Sequence, residues 1–265
     1  MTPQTLLQHS DAGTFWPEPV SATAGFDIPA AYRSALTQRQ LRQARGELPR
    51  GFKVGFTNRT IWPRYGVYAP IWGTVYDSTL SFCDGKGRIT LNNTCQPRIE
   101  PELVFGMKAT PPTHATLEQL FAAIDWLAPG FEVVQSHLPD WKFQAADTIA
   151  DGGLHARLLV GHRIPVSTIA SSADQLNTIL ASARVSLCKA GQVLDQGCGA
   201  SVLDGPLHAL LHFLTELRQC PGAPDLLAGD IITTGTWTDA WPVLPGEHWH
   251  ADFSAPLPGL SVDFC

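Results

Sequence analysis

The period of the apolar positions changes several times along this 265-residue chain. From Asp27 to Gly46 apolar residues fall at Ala31, Ala35, Leu36 and Leu41, which predicts a helix capped by Asp27 and stopped by Gly46. Residues 1–50 are expected to be mainly helical. Lys53-Val54-Gly55-Phe56 reads as a strand. The loop Asn58 to Pro70, rich in Trp, Pro and Tyr, has the composition of a substrate lid or of a packed surface loop. Alternation and glycine turns predict short strands between Trp72 and Asn93. Thr116-Leu117-Glu118-Gln119 reads as a capping box, and Leu117, Leu120, Phe121, Ile124 and Leu127 then recur at helical spacing. Pro129-Gly130 is expected to end that helix and deliver the chain to a buried strand, Phe131-Glu132-Val133-Val134. Further on, the pattern predicts a helix over Ser172 to Ala181 and a hairpin over Ala183 to Leu194 turning at Lys189-Ala190-Gly191. A helix opened by Pro206 follows, and then a strand within Leu227 to Thr236. No repeat, low-complexity tract or linker interrupts the series, so one domain over 1–265 is expected.

Acids interrupt this pattern where a strand should bury hydrocarbon. Glu100 and Glu102 lie in Gln96-Pro97-Arg98-Ile99-Glu100-Pro101-Glu102-Leu103-Val104-Phe105, and Glu132 lies inside Phe131-Glu132-Val133-Val134. Alternate residues of a strand share a face, so Glu100 and Glu102 project together and need compensating positive charge if buried. Arg98 shares that face but cannot neutralise three acids. A hard divalent cation such as Mg2+ or Mn2+ supplies the charge and keeps positions for substrate. The alternative is a solvated edge strand, which Pro101 favours because it cannot donate to a central ladder.

Composition narrows the function. A formal charge of -6, a pI near 5.8 and only 18 Lys and Arg exclude a phosphate-binding surface, so no nucleic-acid partner is expected. The N-terminus shows no basic region followed by an apolar run, and no stretch is long enough to span a membrane, which makes cytoplasmic residence the default expectation. The six cysteines form no Cys-x-x-Cys pair and read as reduced and structural.

Several segments together resemble the 2-keto-4-pentenoate hydratase and 4-oxalocrotonate decarboxylase group of the fumarylacetoacetate hydrolase superfamily. They are Lys53-Val54-Gly55-Phe56-Thr57, Tyr65-Gly66-Val67-Tyr68-Ala69-Pro70 leading to Gly73 and Asp77, and Gln96 to Glu102. Phe131 to Val134 with Asp140-Trp141-Lys142, Asp147-Thr148-Ile149-Ala150-Asp151, and Gly229-Asp230-Ile231-Ile232-Thr233-Thr234-Gly235 complete the set. The resemblance runs from about Asp27 to Glu247 and implies an α+β fold, a mixed β-roll of the fumarylacetoacetate hydrolase C-terminal type with flanking helices. It also implies a Mg2+ or Mn2+ cofactor, homo-oligomers and association with a related pathway enzyme.

By that resemblance Glu100, Glu102 and Glu132 are metal ligands, Lys53 and Asp77 are catalytic, and Asp151, Thr234, Gly235 and Thr236 bind substrate. Read from the residues alone, Lys53 is a strand-entrance lysine with its head in water and Asp77 a turn aspartate. The implied activity is addition of water to a 2-hydroxy-2,4-dienoate, an unsaturated 2-oxo acid from aromatic ring cleavage. The alternatives are decarboxylation of a 4-oxalocrotonate-type acid and hydrolysis of an acylpyruvate or diketone, the last requiring a His-acid pair that the sequence does not reveal. Gly152-Gly153-Leu154-His155 replaces the family's usual Asn- and Ser-containing segment, Asp204-Gly205-Pro206 its usual Gly-Asn-Pro, and His137 a common Arg. The glycines are expected to open volume, with Trp237 adding apolar surface, for a bulkier distal substituent than pentenoate carries.

Overall fold

Apolar residues on both faces of two long strands place them at the centre of the sheet. In the computed structural model, which describes residues 1–265, the strands are β1 (Pro49–Gly55), β2 (Ile71–Tyr76), β3 (Leu80–Phe82), β4 (Lys86–Ile89), β5 (Arg98–Met107), β6 (Ile124–Val134) and β7 (His155–Val160). They continue as β8 (Ile164–Pro165), β9 (Arg184–Lys189), β10 (Gln192–Cys198), β11 (Ile231–Thr236), β12 (Trp241–Pro242), β13 (His248–Phe253) and β14 (Leu260–Phe264). The helices are α1 (Pro3–Ala12), α2 (Ile28–Ala44), α3 (Trp62–Tyr65), α4 (Leu117–Ala122), α5 (Ala145–Ala150), α6 (Ala173–Ser182) and α7 (Pro206–Gln219).

The larger sheet runs β2-β1-β11-β5-β6-β7-β3, with β12 on β5 and β8 on β6; the smaller runs β10-β9-β13-β14-β4. Both are mixed: β1 with β11, β3 with β7 and β14 with β4 are parallel, and the other pairs antiparallel. The result is a curled mixed sheet flanked by helices. α7 lays Leu207, Leu210, Leu214 and Leu217 into the main core with Phe52, Phe105 and Phe213. A smaller cluster under the N-terminal helices joins Leu6, Trp16 and Ala31 to Ile149 of α5.

The local signals hold where they are capping or turn chemistry. Asp27 accepts from Ala30 N–H at the start of α2, Thr116 and Gln119 form the capping box of α4, and the hairpin turns between Lys189 and Gln192. The helix expected through Leu127 does not form. α4 stops at Ala122, and Ile124 and Leu127 belong to β6, a strand that continues through Pro129 and Gly130. Pro129 is tolerated because it falls in the gap between the residues paired with β8, Trp126 and Leu127, and those paired with β7, which begin at Gly130. Pro101 behaves alike in β5, between Ile99 paired with β12 and Glu102 paired with β11. β5 is therefore a central strand, not the solvated edge that Pro101 suggested.

Candidate metal centre and adjoining cavity

Five neighbouring strands bring the site residues together. Lys53 comes from β1, Gly235 from β11, Glu100 and Glu102 from β5, Glu132 from β6 and His155 from the start of β7. Glu100 lies directly across the ladder from Glu132, and Glu102 lies across from Gly130. One ligand oxygen from each of Glu100, Glu102 and Glu132 lies within 4.8 Å of the others, and Glu102 and Glu132 are fully buried.

Each acid is held in a particular orientation. Glu102 Oε2 accepts the Gly235 N–H at 2.7 Å, leaving Oε1 buried without a partner. Gly235 is there because its φ is +96° and a Cβ would lie 1.9 Å from Thr57 Oγ1. Glu132 Oε1 is bonded to His155 Nδ1 at 2.7 Å, while its Oε2 lies 3.3 Å from Lys53 Nζ without hydrogen-bond geometry. Lys53 donates to the Gly153 carbonyl at 2.8 Å. An ammonium has three donors, so Lys53, which lines the adjoining cavity, retains capacity toward a ligand.

The charge balance bears on what the three acids can hold. Burial lowers the Lys53 pKa, but Glu132, Glu100 and Glu102 outweigh it and raise the net value. Burial pushes Glu100 up to about 7 against the pull of Lys53, and burial with the neighbouring acids pushes Glu102 well above the ordinary carboxyl range. Glu132 is lowered despite burial, because Lys53 and His155 favour its anion. Three acids share one ammonium, and two buried carboxylate oxygens point at no donor. A divalent cation fits this donor set: all-oxygen ligands, unspent anionic charge and orphaned lone pairs. Glu100, Glu102 and Glu132 are the residues that would hold it.

No family model matches the chain. It is 30% identical over 221 residues to 2-hydroxyhexa-2,4-dienoate hydratase of Comamonas testosteroni, covering 83% of this chain and 80% of that protein. It is also 30% identical over 221 residues to 4-oxalocrotonate decarboxylase of Pseudomonas sp. (strain CF600), covering 82% of this chain and 78% of that one. The chain belongs to the hydratase and decarboxylase group of the fumarylacetoacetate hydrolase superfamily. The structure of 4-oxalocrotonate decarboxylase from Pseudomonas putida G7, complexed with magnesium and adipate, superposes with a TM-score of 0.88 at 25% identity, covering 99% of this chain and 95% of that chain. Fumarylpyruvate hydrolase from Pseudomonas aeruginosa, in complex with Mn2+ and pyruvate, shares the fold, with a TM-score of 0.62 at 16% identity over 82% of this chain and 89% of that one. This member of the group is a metal-dependent lyase acting on a small molecule.

Beside the acids a cavity of about 460 Å3 is lined by Lys53, Glu100, Gly235, Thr236 and Trp237, with Ile61, Arg64 and Tyr65 from the 58–70 loop. Of the residues expected to bind substrate, only Gly235 and Thr236 reach it. The Gly235 N–H is committed to Glu102, and the Thr236 hydroxyl donates to Thr238 O. Thr234 is buried with its hydroxyl on Leu103 O. Asp77 does not pair with Lys53. It sits on an exposed turn, where its carboxylate accepts Leu48 N–H at 3.0 Å. The volume does not come from the glycines either: a Cβ at Gly153 would lie 3.0 Å from Lys53 Cδ, and Gly152 lies outside this cavity. Their φ of +63° and +71° lets the backbone pass close to Gly73 and present the Gly153 carbonyl to Lys53. Asp204, at φ +70°, pairs with Arg59 on the surface.

Asp151 is turned away from the cavity toward His137, bonding its Nδ1 at 2.6 Å and its backbone N–H at 3.1 Å. The ring of His137 stacks on Trp16 at 5.9 Å, tying the N-terminal segment to the end of α5. Burial lowers the His137 pKa, but Asp151 more than offsets it and the net value is raised. A raised folded-state value means that the protonated pair stabilises the fold fully below the unfolded imidazole pKa of about 6.5, and that this stabilisation fades as pH climbs through the folded value. Asp151→Asn is expected to lower the urea midpoint near pH 6, with the gap to wild type narrowing at higher pH. A pH-independent gap, or a loss of kcat/KM without a loss of stability, would return Asp151 to substrate binding.

His155 is the site residue that the sequence does not single out, because its link to Glu132 runs through the β6–β7 pairing. Burial lowers its pKa, against the pull of Glu132. Its Nδ1 lies 2.7 Å from the Glu132 carboxylate and its Nε2 2.9 Å from the Thr79 hydroxyl, which also donates to Tyr76 O. Holding Oε1 leaves Oε2 free for an ion. His155→Ala is expected to weaken Mn2+ binding about 10–100-fold, measured by titration calorimetry of the metal-free protein. Unchanged affinity would make the histidine a packing residue.

Proposed function

We propose that residues 1–265 act as one domain that hydrates a 2-hydroxy-2,4-dienoate to the 4-hydroxy-2-oxo acid. The observation that carries this reading is the buried Glu100–Glu102–Glu132 set beside an ammonium with spare donor capacity and a cavity. A divalent cation held there supplies Lewis acidity toward the 1-carboxylate and 2-oxo oxygens of such an acid. Over the reaction the C2 hydroxyl loses its proton, protons are gained at C5 and C3, and the water oxygen bonds to C4. Lys53 donates a hydrogen bond to the C2 oxygen as negative charge gathers there. Its own tether to Gly153 O fixes the ammonium in place, and β1 supplies the rigid support.

Hydrolysis is disfavoured although a His-acid pair exists. Both nitrogens of His155 are engaged, by Glu132 and Thr79, and the second pair, His137 with Asp151, lies outside the cavity, so neither is placed to take a proton from a substrate water. Decarboxylation of a dicarboxylate is the second reading, and Arg64 favours it: this exposed guanidinium lines the cavity and makes no ion pair. The test follows loss of dienoate absorbance and carbon dioxide release in parallel, with Mg2+ or with chelator. Metal-dependent hydration without carbon dioxide supports the proposal; carbon dioxide release from a dienoate dicarboxylate, lost in Arg64→Gln, moves the activity to decarboxylation. The same reading includes cytoplasmic residence, homo-oligomers and association with a related pathway enzyme, the last two measurable by sedimentation alone and in a mixture.

A further inference from the structure

The cavity wall beyond the acids is a row of aromatic rings in contact. Phe56 stacks on Tyr65 at 4.8 Å, Tyr65 on Phe143 at 5.7 Å, and Phe143 meets Trp141 at 6.1 Å. All four line the cavity and all four are only half-buried. They come from three separate segments, the end of β1, α3 and the 141–143 loop, so no single helix or strand period accounts for the row.

Backbone conformation gives an independent observation. Phe56 has φ +56° and Trp141 φ +58°, a region that bulky side chains rarely adopt. Each of these two residues is nonetheless held in place by its neighbours. The Phe56 carbonyl accepts the Trp62 indole N–H at 2.7 Å, the Trp141 indole donates to Gln96 O at 3.2 Å, and the Arg98 guanidinium lies 4.3 Å from the Trp141 ring. Two strained positions thus hold the ends of a half-exposed aromatic row at a cavity. Hydrophobic packing alone would bury such rings rather than leave their faces on a void.

We infer that the Phe56–Tyr65–Phe143–Trp141 wall is a subsite for a planar aryl tail on the 2-oxo acid, so that the substrate is an aryl-bearing dienoate. This inference rests on the hydratase reading above. A substrate of about eight heavy atoms leaves most of a cavity of drug-ligand size unfilled, whereas an added ring covers the exposed aromatic faces.

The experiment uses non-reacting 2-oxo acids as inhibitors of the Mn2+-loaded enzyme: 2-oxobutanoate, 4-cyclohexyl-2-oxobutanoate and 4-phenyl-2-oxobutanoate. The phenyl compound is expected to bind about tenfold more tightly than the cyclohexyl compound of similar bulk. Tyr65→Leu and, separately, Phe143→Leu are expected to collapse that ratio toward unity, with thermal melts reporting that each variant is folded. Equal affinities for phenyl and cyclohexyl compounds, or a ratio untouched by both variants, overturn the aryl subsite while leaving the hydratase reading standing. If none of the three acids binds in a Mn2+-dependent way, the metal-chelate reading fails and the subsite with it.

Discussion

Glu102→Gln should leave a folded protein that binds Mn2+ at least about a hundredfold more weakly, because it removes an anionic ligand. The substitution keeps an oxygen able to accept the Gly235 N–H and keeps the volume of the side chain. Burial and the neighbouring acids already drive Glu102 toward its neutral acid, which the amide imitates. Stability without metal should therefore hold or rise. The contrast appears when metal is added: at a concentration one hundred times the wild-type Kd, linkage stabilises the wild type by about 2.7 kcal/mol and a hundredfold weaker variant by about 0.4 kcal/mol. Thermal melts with and without Mn2+ read that difference directly. An equal rise in both proteins would exclude Glu102 as a ligand.

Lys53→Ala should lower kcat by about 100- to 10,000-fold, the usual range for a positioned proton-transfer or hydrogen-bonding group, without weakening Mn2+ binding. Removing an ammonium 3.3 Å from Glu132 also removes repulsion toward an incoming cation, so metal affinity should hold or tighten. The metal-free variant carries the opposite sign. Glu132 keeps only His155 as a partner, and breaking a buried pair costs about 3–5 kcal/mol, which added Mn2+ should largely restore. Lys53→Met preserves most of the volume and separates this charge effect from a packing defect. Wild-type turnover in either variant at saturating metal would make Lys53 a structural residue.

The site was legible where its chemistry conflicts with its surroundings. Glu100, Glu102 and Glu132 stand out because acids in apolar strands need a compensating charge, and that argument requires no knowledge of strand order. Asp77, Asp151 and Thr234 are different. Each lies in a segment typical of the group, yet their side chains serve Leu48, His137 and Leu103, contacts that only the folded chain reveals. His155 escaped notice for the same reason.

The fold was legible at its caps and turns and misread in β6. That strand is buried on both faces, so its apolar residues lack the alternation that marks a half-exposed strand, and Leu120, Ile124 and Leu127 fall at helical spacing by coincidence. The C-terminal pair β13 and β14 lay beyond the resemblance, which ended near Glu247. Its signal was available: Trp249, Ala251 and Phe253 are buried while His248, His250 and Asp252 are more exposed, a period of two.

The central claim is that the three glutamates hold one divalent cation that in turn receives a 2-oxo acid. A crystal grown with Mn2+ and oxalate, analysed by anomalous scattering at the manganese edge, tests it most directly. The account predicts a single peak within about 2.0–2.3 Å of one oxygen each from Glu100, Glu102 and Glu132, with one oxygen from each oxalate carboxylate and a water completing the shell on the cavity side toward Lys53. A peak elsewhere, or none at these acids while oxalate occupies the cavity, would contradict it.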